Sequence, residues 1–256
     1  MDLAEFVRKI RELKARGYIK ARRRGDTGIG YTLEQEIGLT ENNVSKPDLG
    51  DIELKAHRRN SSSRITLFTL DRNAWKINQR NLILKYGSID SKGRRSLYCT
   101  VSNKPNPQGF YTVCIADKFC LFHTDGELIA EWRVEDLINA FSKKMPNLIL
   151  VVADRKLDSN GREEFWYNEA YYLEGVDRDK FIEFLQSGVI TVDLRMHLRE
   201  NNTVRNHGTA FRIEEKYLHE LFSSRINLLE SNLEKTEKTV ESNNRAKIRQ
   251  KRLTDF

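Results

Sequence analysis

Pro47-Asp48-Leu49-Gly50-Asp51-Ile52-Glu53-Leu54-Lys55-Ala56 is the stretch on which the fold turns. From Asp51 onward polar and apolar residues alternate, so a strand puts Ile52, Leu54 and Ala56 on one face and Asp51, Glu53 and Lys55 on the other. Glu53 and Lys55 then point together. Pro47 sets an extended or turning chain before the strand, and Gly50 permits the bend that brings the Asp48 carboxylate round to the same side. Two carboxylates and an ammonium are thereby predicted to share one small space.

Metal-dependent phosphodiester hydrolysis needs those groups. Carboxylate oxygens suit Mg²⁺, a hard cation that takes one or two protein carboxylates beside water and substrate phosphate. Such an ion polarises the phosphate and lowers the pKa of a coordinated water. Lys55 can position or deprotonate the attacking water, or offset charge developing on the phosphate. The bare pattern also fits a solvated strand face, because 32% of the chain is charged. Its surroundings decide between the two.

Upstream, Arg22-Arg23-Arg24-Gly25-Asp26-Thr27-Gly28-Ile29-Gly30-Tyr31 is a basic, glycine-rich loop. Thr32-Leu33-Glu34-Gln35 follows as a capping box that opens a short helix ending at Gly38, with Glu34 in its first turn. Downstream come Ile65-Thr66-Leu67-Phe68-Thr69, Leu84-Lys85-Tyr86-Gly87, Val192-Asp193-Leu194-Arg195 and His207-Gly208-Thr209-Ala210-Phe211-Arg212-Ile213. With Asn42-Asn43 and the Asp48…Glu53-Leu54-Lys55 strand, and in this order, these segments resemble the MvaI/BcnI group of type II restriction endonucleases. That group is related to the mismatch-repair nicking enzyme MutH. The resemblance covers roughly residues 3 to 222.

It implies a PD-(D/E)XK restriction-endonuclease-like core of mixed α/β class, with a central mixed sheet flanked by helices, a DNA-recognition part and a helical C-terminal tail. It further implies that Asp48 and Glu53 hold Mg²⁺ with help from the Leu54 carbonyl and that Lys55 serves the nucleophilic water. Glu34 would orient Lys55 or a metal-bound water, although the helix dipole by itself also favours a glutamate in a first turn. Arg195, His207 and Arg212 match the segments that reach base edges, with Arg205 in the polar loop between them, and Arg22, Arg23 and Arg24 suit phosphates. Arg212 equally fits a structural ion pair and His207 a capped loop residue. Arg205-Asn206 replaces the His-Asp pair commoner in the group, which bears on the sequence recognised. The implied substrate is double-stranded DNA at a short near-palindromic site of the CCNGG sort, cut by a monomer whose single active site takes the strands in turn. A MutH-like enzyme would nick one strand instead. A catalytically silent DNA-binding module is disfavoured because Glu34, Asp48, Glu53 and Lys55 are all present.

Composition agrees with these expectations. The 256 residues carry 44 Lys plus Arg against 37 Asp plus Glu, a net +7 that favours a polyanionic partner. No apolar run approaches the ~20 residues that span a bilayer, and the N-terminus lacks a signal-peptide layout, so a cytoplasmic protein is expected. Cys99, Cys114 and Cys120 form no CxxC pair and read as buried reduced thiols, and the histidine spacing indicates no zinc site.

Leu3, Phe6, Ile10 and Leu13 predict an opening helix stopped by Gly17. Strands are expected at 51–57, 64–70, 148–153, 165–173 and 188–195, and helices at 134–141, 177–186 and 214–222. Residues 97–102 and 110–116 read as one hairpin, 119–123 and 128–132 as another. The sequence divides into a catalytic part (1–95), the rest of the core with the DNA-recognition part (96–222, interleaving with the first) and a charged helical tail (223–256). In the tail Ile226, Leu229, Leu233 and Val240 have heptad-like spacing ahead of Arg245, Lys247, Arg249, Lys251 and Arg252. The tail suits a helix packed on the body, a clamp on the DNA backbone, or a dimer seam.

Overall fold

The computed structural model describes residues 1–25, 27–39, 52–59, 64–71 and 73–230. In chain order they form α1 (Leu3–Arg16), β1 (Ile19–Lys20), α2 (Gly28–Ile37), β2 (Ile52–Arg58), β3 (Arg64–Thr69), α3 (Gln79–Tyr86), β4 (Ser88–Ile89) and β5 (Arg95–Val101). Next come β6 (Phe110–Ile115), β7 (Lys118–His123), β8 (Leu128–Arg133), α4 (Val134–Lys144), β9 (Asn147–Leu157) and β10 (Glu163–Val176). The chain continues through α5 (Arg178–Ser187), β11 (Thr191–Leu198), β12 (Val204–Asn206), β13 (Ala210–Glu214), α6 (Glu215–Leu218), a 3-10 turn (His219–Leu221) and β14 (Phe222–Asn227). The class is mixed α/β, as expected. Two compact units share the chain: residues 1–61, 146–175 and 223–256 make the first, and 62–145 with 176–222 the second. The chain thus leaves the first unit and returns to it twice, and the span 1–95 contributes to both.

The first unit is a five-stranded sheet ordered β1-β10-β9-β2, with β14 also on β10. β2 runs parallel to β9, while β9 and β10 are antiparallel. Asp2 caps α1 by accepting the Glu5 N–H at 2.8 Å. Phe6, Val7, Ile10 and Leu13 of α1 join Ile29, Leu33 and Ile37 of α2 in a core with Ile52 and Leu54 of β2 and the apolar residues of β9 and β10. Burying each such side chain contributes about 1.5–3 kcal/mol, so packing rather than intrinsic propensity holds these short helices.

Two expectations in this unit need correcting. α2 begins a turn before the proposed capping box, at Gly28, a position where a side chain would strike the Arg23 carbonyl and only glycine fits. Thr32 is therefore inside the helix and buried, and its hydroxyl accepts the Arg22 N–H at 3.0 Å instead of capping. The helix does end at Gly38, whose φ of 76° closes it. The second correction concerns the tail: Phe222–Asn227 are strand β14, and Leu228 is buried in the core, its N–H donating to the Ala170 carbonyl at 2.9 Å. The 14-residue β10 offers more edge than two-residue β1 covers, and β14 pairs with it there. The remaining heptad and basic positions, from 231 on, lie outside the described residues, as do Asn42, Asn43 and Asp48.

The second unit has a six-stranded antiparallel sheet ordered β3-β13-β11-β5-β4, with β12 on β11, and a three-stranded sheet β6-β7-β8. β7 pairs with β8 as predicted, but β6 pairs with β7 and not with β5. The Pro-Asn-Pro-Gln-Gly segment that suggested a hairpin is instead a loop folded by Asn106, whose side chain accepts the Gln108 and Phe110 N–H groups. Phe211 stacks on Phe68 at 4.8 Å and meets Trp132 edge-on at 5.4 Å, and Phe181 stacks on Phe141 at 5.4 Å. This aromatic cluster is the centre of the unit. The helix expected at 214–222 shrinks to α6 and the 3-10 turn.

Candidate functional site

Among the described residues β2 is the edge strand of the first unit's sheet, paired on one side with β9. Glu53 is 3% exposed, and its Oε1 accepts the Lys55 Nζ at 2.5 Å, the pairing that the alternation predicts. Leu54, Lys55 and Ala56 line a cleft of about 320 Å³ together with Glu34, Gly30, Tyr31 and Arg23. α2 thus delivers Glu34 to the place where β2 delivers Lys55. Arg23 lies over the Tyr31 ring at 3.9 Å. Of the expected catalytic set, Glu34, Glu53 and Lys55 come together around β2, and Asp48 lies outside the described residues. Among the described residues no group of three or more His, Cys, Asp or Glu forms a ready metal cluster.

A groove of about 560 Å³ runs beside this cleft in the same unit, lined by Arg22, Arg23, Arg24, Arg155, Arg162 and Glu163. The glycine-rich loop supplies the first three. The other two come from the β9–β10 hairpin, which no sequence pattern couples to that loop. Arg22 pairs with Glu36 at 2.7 Å and Arg155 with Glu163 at 2.6 Å, whereas Arg24 and Arg162 make no ion pair among the described residues. Together Arg22 and Arg16 hold the Glu36 carboxyl below its ordinary range against the opposing effect of burial.

In the second unit Val192, Leu194 and Met196 of β11 are buried in the core, so Asp193, Arg195 and His197 share the opposite, polar face. Tyr98 and Thr100 of β5 pair across from Arg195 and Asp193, Arg205 of β12 across from His197, and Arg212 of β13 across from Thr191. Arg195, Arg205, His207 and Arg212 are therefore gathered on one face. Arg212 Nη1 donates to Asp193 at 2.7 Å and Nη2 to the Arg64 carbonyl at 2.5 Å. With Nε buried, two of the five guanidinium hydrogens, one on each terminal nitrogen, are left for another acceptor. Arg195 donates to the His207 and Gly208 carbonyls and so braces the loop that carries His207.

The residue that shapes this loop is Asp71, which sequence reasoning missed. Its carboxylate accepts from the Thr209 hydroxyl at 2.6 Å, the Thr209 N–H at 3.0 Å, Trp75 at 3.1 Å and Asn206 at 3.3 Å. Nothing around position 71 announces that role. Gly208 sits in the same turn at φ 86°, a conformation that glycine adopts without strain.

A family model, the MvaI/BcnI restriction endonuclease family, matches residues 7–222. The chain belongs to that family. It is a type II site-specific endonuclease, and restriction endonucleases of this kind generally use a divalent metal ion. Two solved structures share the fold. "Restriction endonuclease MvaI-cognate DNA substrate complex" matches with TM-score 0.72 and 24% identity, over 89% of this chain and 99% of that one. "Restriction endonuclease MvaI in the absence of DNA" matches with TM-score 0.54 and 25% identity, over 88% and 97%. No curated protein matches.

Proposed function

We propose that this MvaI/BcnI-family chain is a Mg²⁺-dependent enzyme that hydrolyses double-stranded DNA in the cytoplasm at a short, near-palindromic G·C-rich site of the CCNGG sort. It acts as a monomer with one active site. The observation that carries this reading is the Glu53–Lys55 ion pair on an edge strand whose cleft also receives Glu34. That the related MvaI has been solved with cognate DNA supports the choice of substrate.

The donors suit a hard cation: they are oxygens, with no thiolate or imidazole among them. Asp48, Glu53 and the Leu54 carbonyl would hold Mg²⁺, which when bound polarises the scissile phosphate and acidifies water. Lys55, held by Glu53, places its ammonium where negative charge grows on the phosphate, and Glu34 steers Lys55 or the incoming water. A water oxygen bonds to phosphorus, the bond from phosphorus to the 3′ oxygen breaks, and that oxygen takes a proton. The ends are a 5′-phosphate and a 3′-hydroxyl. Arg22, Arg23 and Arg24 fix register through phosphates, while Arg195, Arg205, His207 and Arg212 present the reading face, Arg212 with one free donor on each terminal nitrogen.

Supercoiled plasmid digested with and without Mg²⁺, followed by run-off sequencing of the products, tests this. The expected product is linear DNA cut at one recurring G·C-rich site. Accumulation of nicked circles alone would point to MutH-like chemistry, and DNA retention without cutting in Mg²⁺ to a binding module.

A further inference from the structure

Tyr98 has no place in the scheme above, yet a hydrogen-bond relay ends on it. Asp90, at the start of the β4–β5 turn, accepts from Arg94 Nε at 3.0 Å and Nη2 at 2.8 Å, which fixes the guanidinium and holds the Asp90 carboxyl down at about 2. Arg94 Nη1 then lies 3.2 Å from His197 Nε2, and the Tyr98 hydroxyl lies 3.0 Å from His197 Nδ1. His197 is only 7% exposed, and its ring stacks on Tyr98 with centroids 6.3 Å apart.

The directions of these bonds follow from chemistry. A guanidinium only donates, so His197 Nε2 must accept and carries no proton. The neutral ring then bears its proton on Nδ1, and Nδ1–H donates to the Tyr98 oxygen. Burial and the Arg94 charge favour that neutral state, since both push the His197 pKa below its ordinary value. With its oxygen engaged as an acceptor, Tyr98 has its own hydroxyl hydrogen left over, and no acceptor for it exists among the described residues. Tyr98 is 44% exposed, stands across from Arg195, and has the His207 ring 6.4 Å away. The relay thus aims one donor out of the polar face of β5 and β11.

We propose that Tyr98 is a further specificity-determining residue, whose hydroxyl, oriented by His197 and Arg94, donates one hydrogen bond to an acceptor on a base edge of the DNA. The proposal rests on the reading of this face as the DNA-reading surface. His197 and Arg94 are positioning residues; they do not touch the base. A tyrosine suits the task because its donor is neutral and single, able to pick out an acceptor atom without the sequence-blind attraction that a cation has for phosphates.

The test is a set of binding titrations in Ca²⁺ with the full chain, using the cognate duplex and duplexes carrying 7-deazapurine or another acceptor-deleting base at each position in turn. Wild type, Tyr98→Phe and Arg212→Ala are compared. Tyr98→Phe keeps the ring and its packing, and an unchanged melting temperature establishes that it folds. The expected result is a loss of about three- to tenfold, the size of one hydrogen bond. One acceptor deletion should weaken wild type by that factor and leave Tyr98→Phe unaffected. In ¹⁵N spectra His197 should show a protonated Nδ1 and a bare Nε2. Tyr98→Phe binding that is unchanged, or weaker by the same factor on every duplex, would overturn the proposal, as would a proton on Nε2. If Arg212→Ala loses discrimination at one position while Tyr98→Phe does not, only the role of Tyr98 fails; if neither does, the reading of the whole face fails.

Discussion

At the scale of single residues, the carboxylate proposed to hold the metal and the ammonium proposed to supply charge touch each other. Glu53 and Lys55 are joined at 2.5 Å, so losing either disturbs the other, and only the measured property tells their roles apart. Lys55→Ala should cut slower by on the order of 10²–10³-fold, the worth of one oriented charge at a reacting centre. It should still bind Mg²⁺ in a calorimetric titration, because an ammonium is no ligand; disappearance of the metal isotherm would contradict this division. Asp71 belongs to the same scale. Its carboxylate organises the turn carrying His207 through three hydrogen bonds and holds Trp75 by a fourth, and Asp71→Ala should cost about 3 kcal/mol in denaturant unfolding, roughly one to two charge-assisted bonds. A variant that unfolds like wild type would show that the turn holds itself. The Glu53 and Lys55 pairing was legible because strict alternation fixes which side chains share a face. Asp71 was not, because three of its four bonds come from Asn206 and Thr209, more than a hundred residues away, and no local pattern encodes that meeting.

Among the elements, the sequence was informative wherever burial followed a simple period and silent wherever two distant segments had to meet. α1, α4, α5, β9 and β10 lie where their apolar spacing put them. The start of α2 was misplaced by one turn because Thr32-Leu33-Glu34-Gln35 looks like a cap, whereas Thr32 lies inside the helix and its hydroxyl is engaged by the Arg22 N–H. The β5–β6 hairpin failed for a related reason: β5 has a partner in β11, and pairing there buries Leu97 and Val101. The heptad-like spacing of Ile226 and Leu229 met a similar fate, since an edge of β10 was available to a strand. The β9–β10 hairpin carries the prediction at this scale. Arg155→Ala and Arg162→Ala should each reduce the slope of log K against log salt by about 0.9 if they touch phosphates alongside Arg22, Arg23 and Arg24. Base discrimination should not change. A slope equal to wild type would leave the groove with no part in DNA binding.

For the molecule as a whole, the residues proposed for chemistry and those proposed for reading lie in different compact units, and both units are assembled from separated stretches of chain. Strand β2 and helix α2 belong to the first; the polar face of β11, β12 and β13 belongs to the second. Binding should therefore survive destruction of the cleavage site. Glu53→Gln removes one ligand charge while preserving shape, and it can be followed on a cognate duplex by cleavage in Mg²⁺ and by affinity in Ca²⁺. The account predicts that cleavage slows by at least roughly 10²–10³-fold, with affinity within about threefold of wild type and an unchanged melting temperature. Cleavage by Glu53→Gln at the wild-type rate would contradict the placement of the active site on β2.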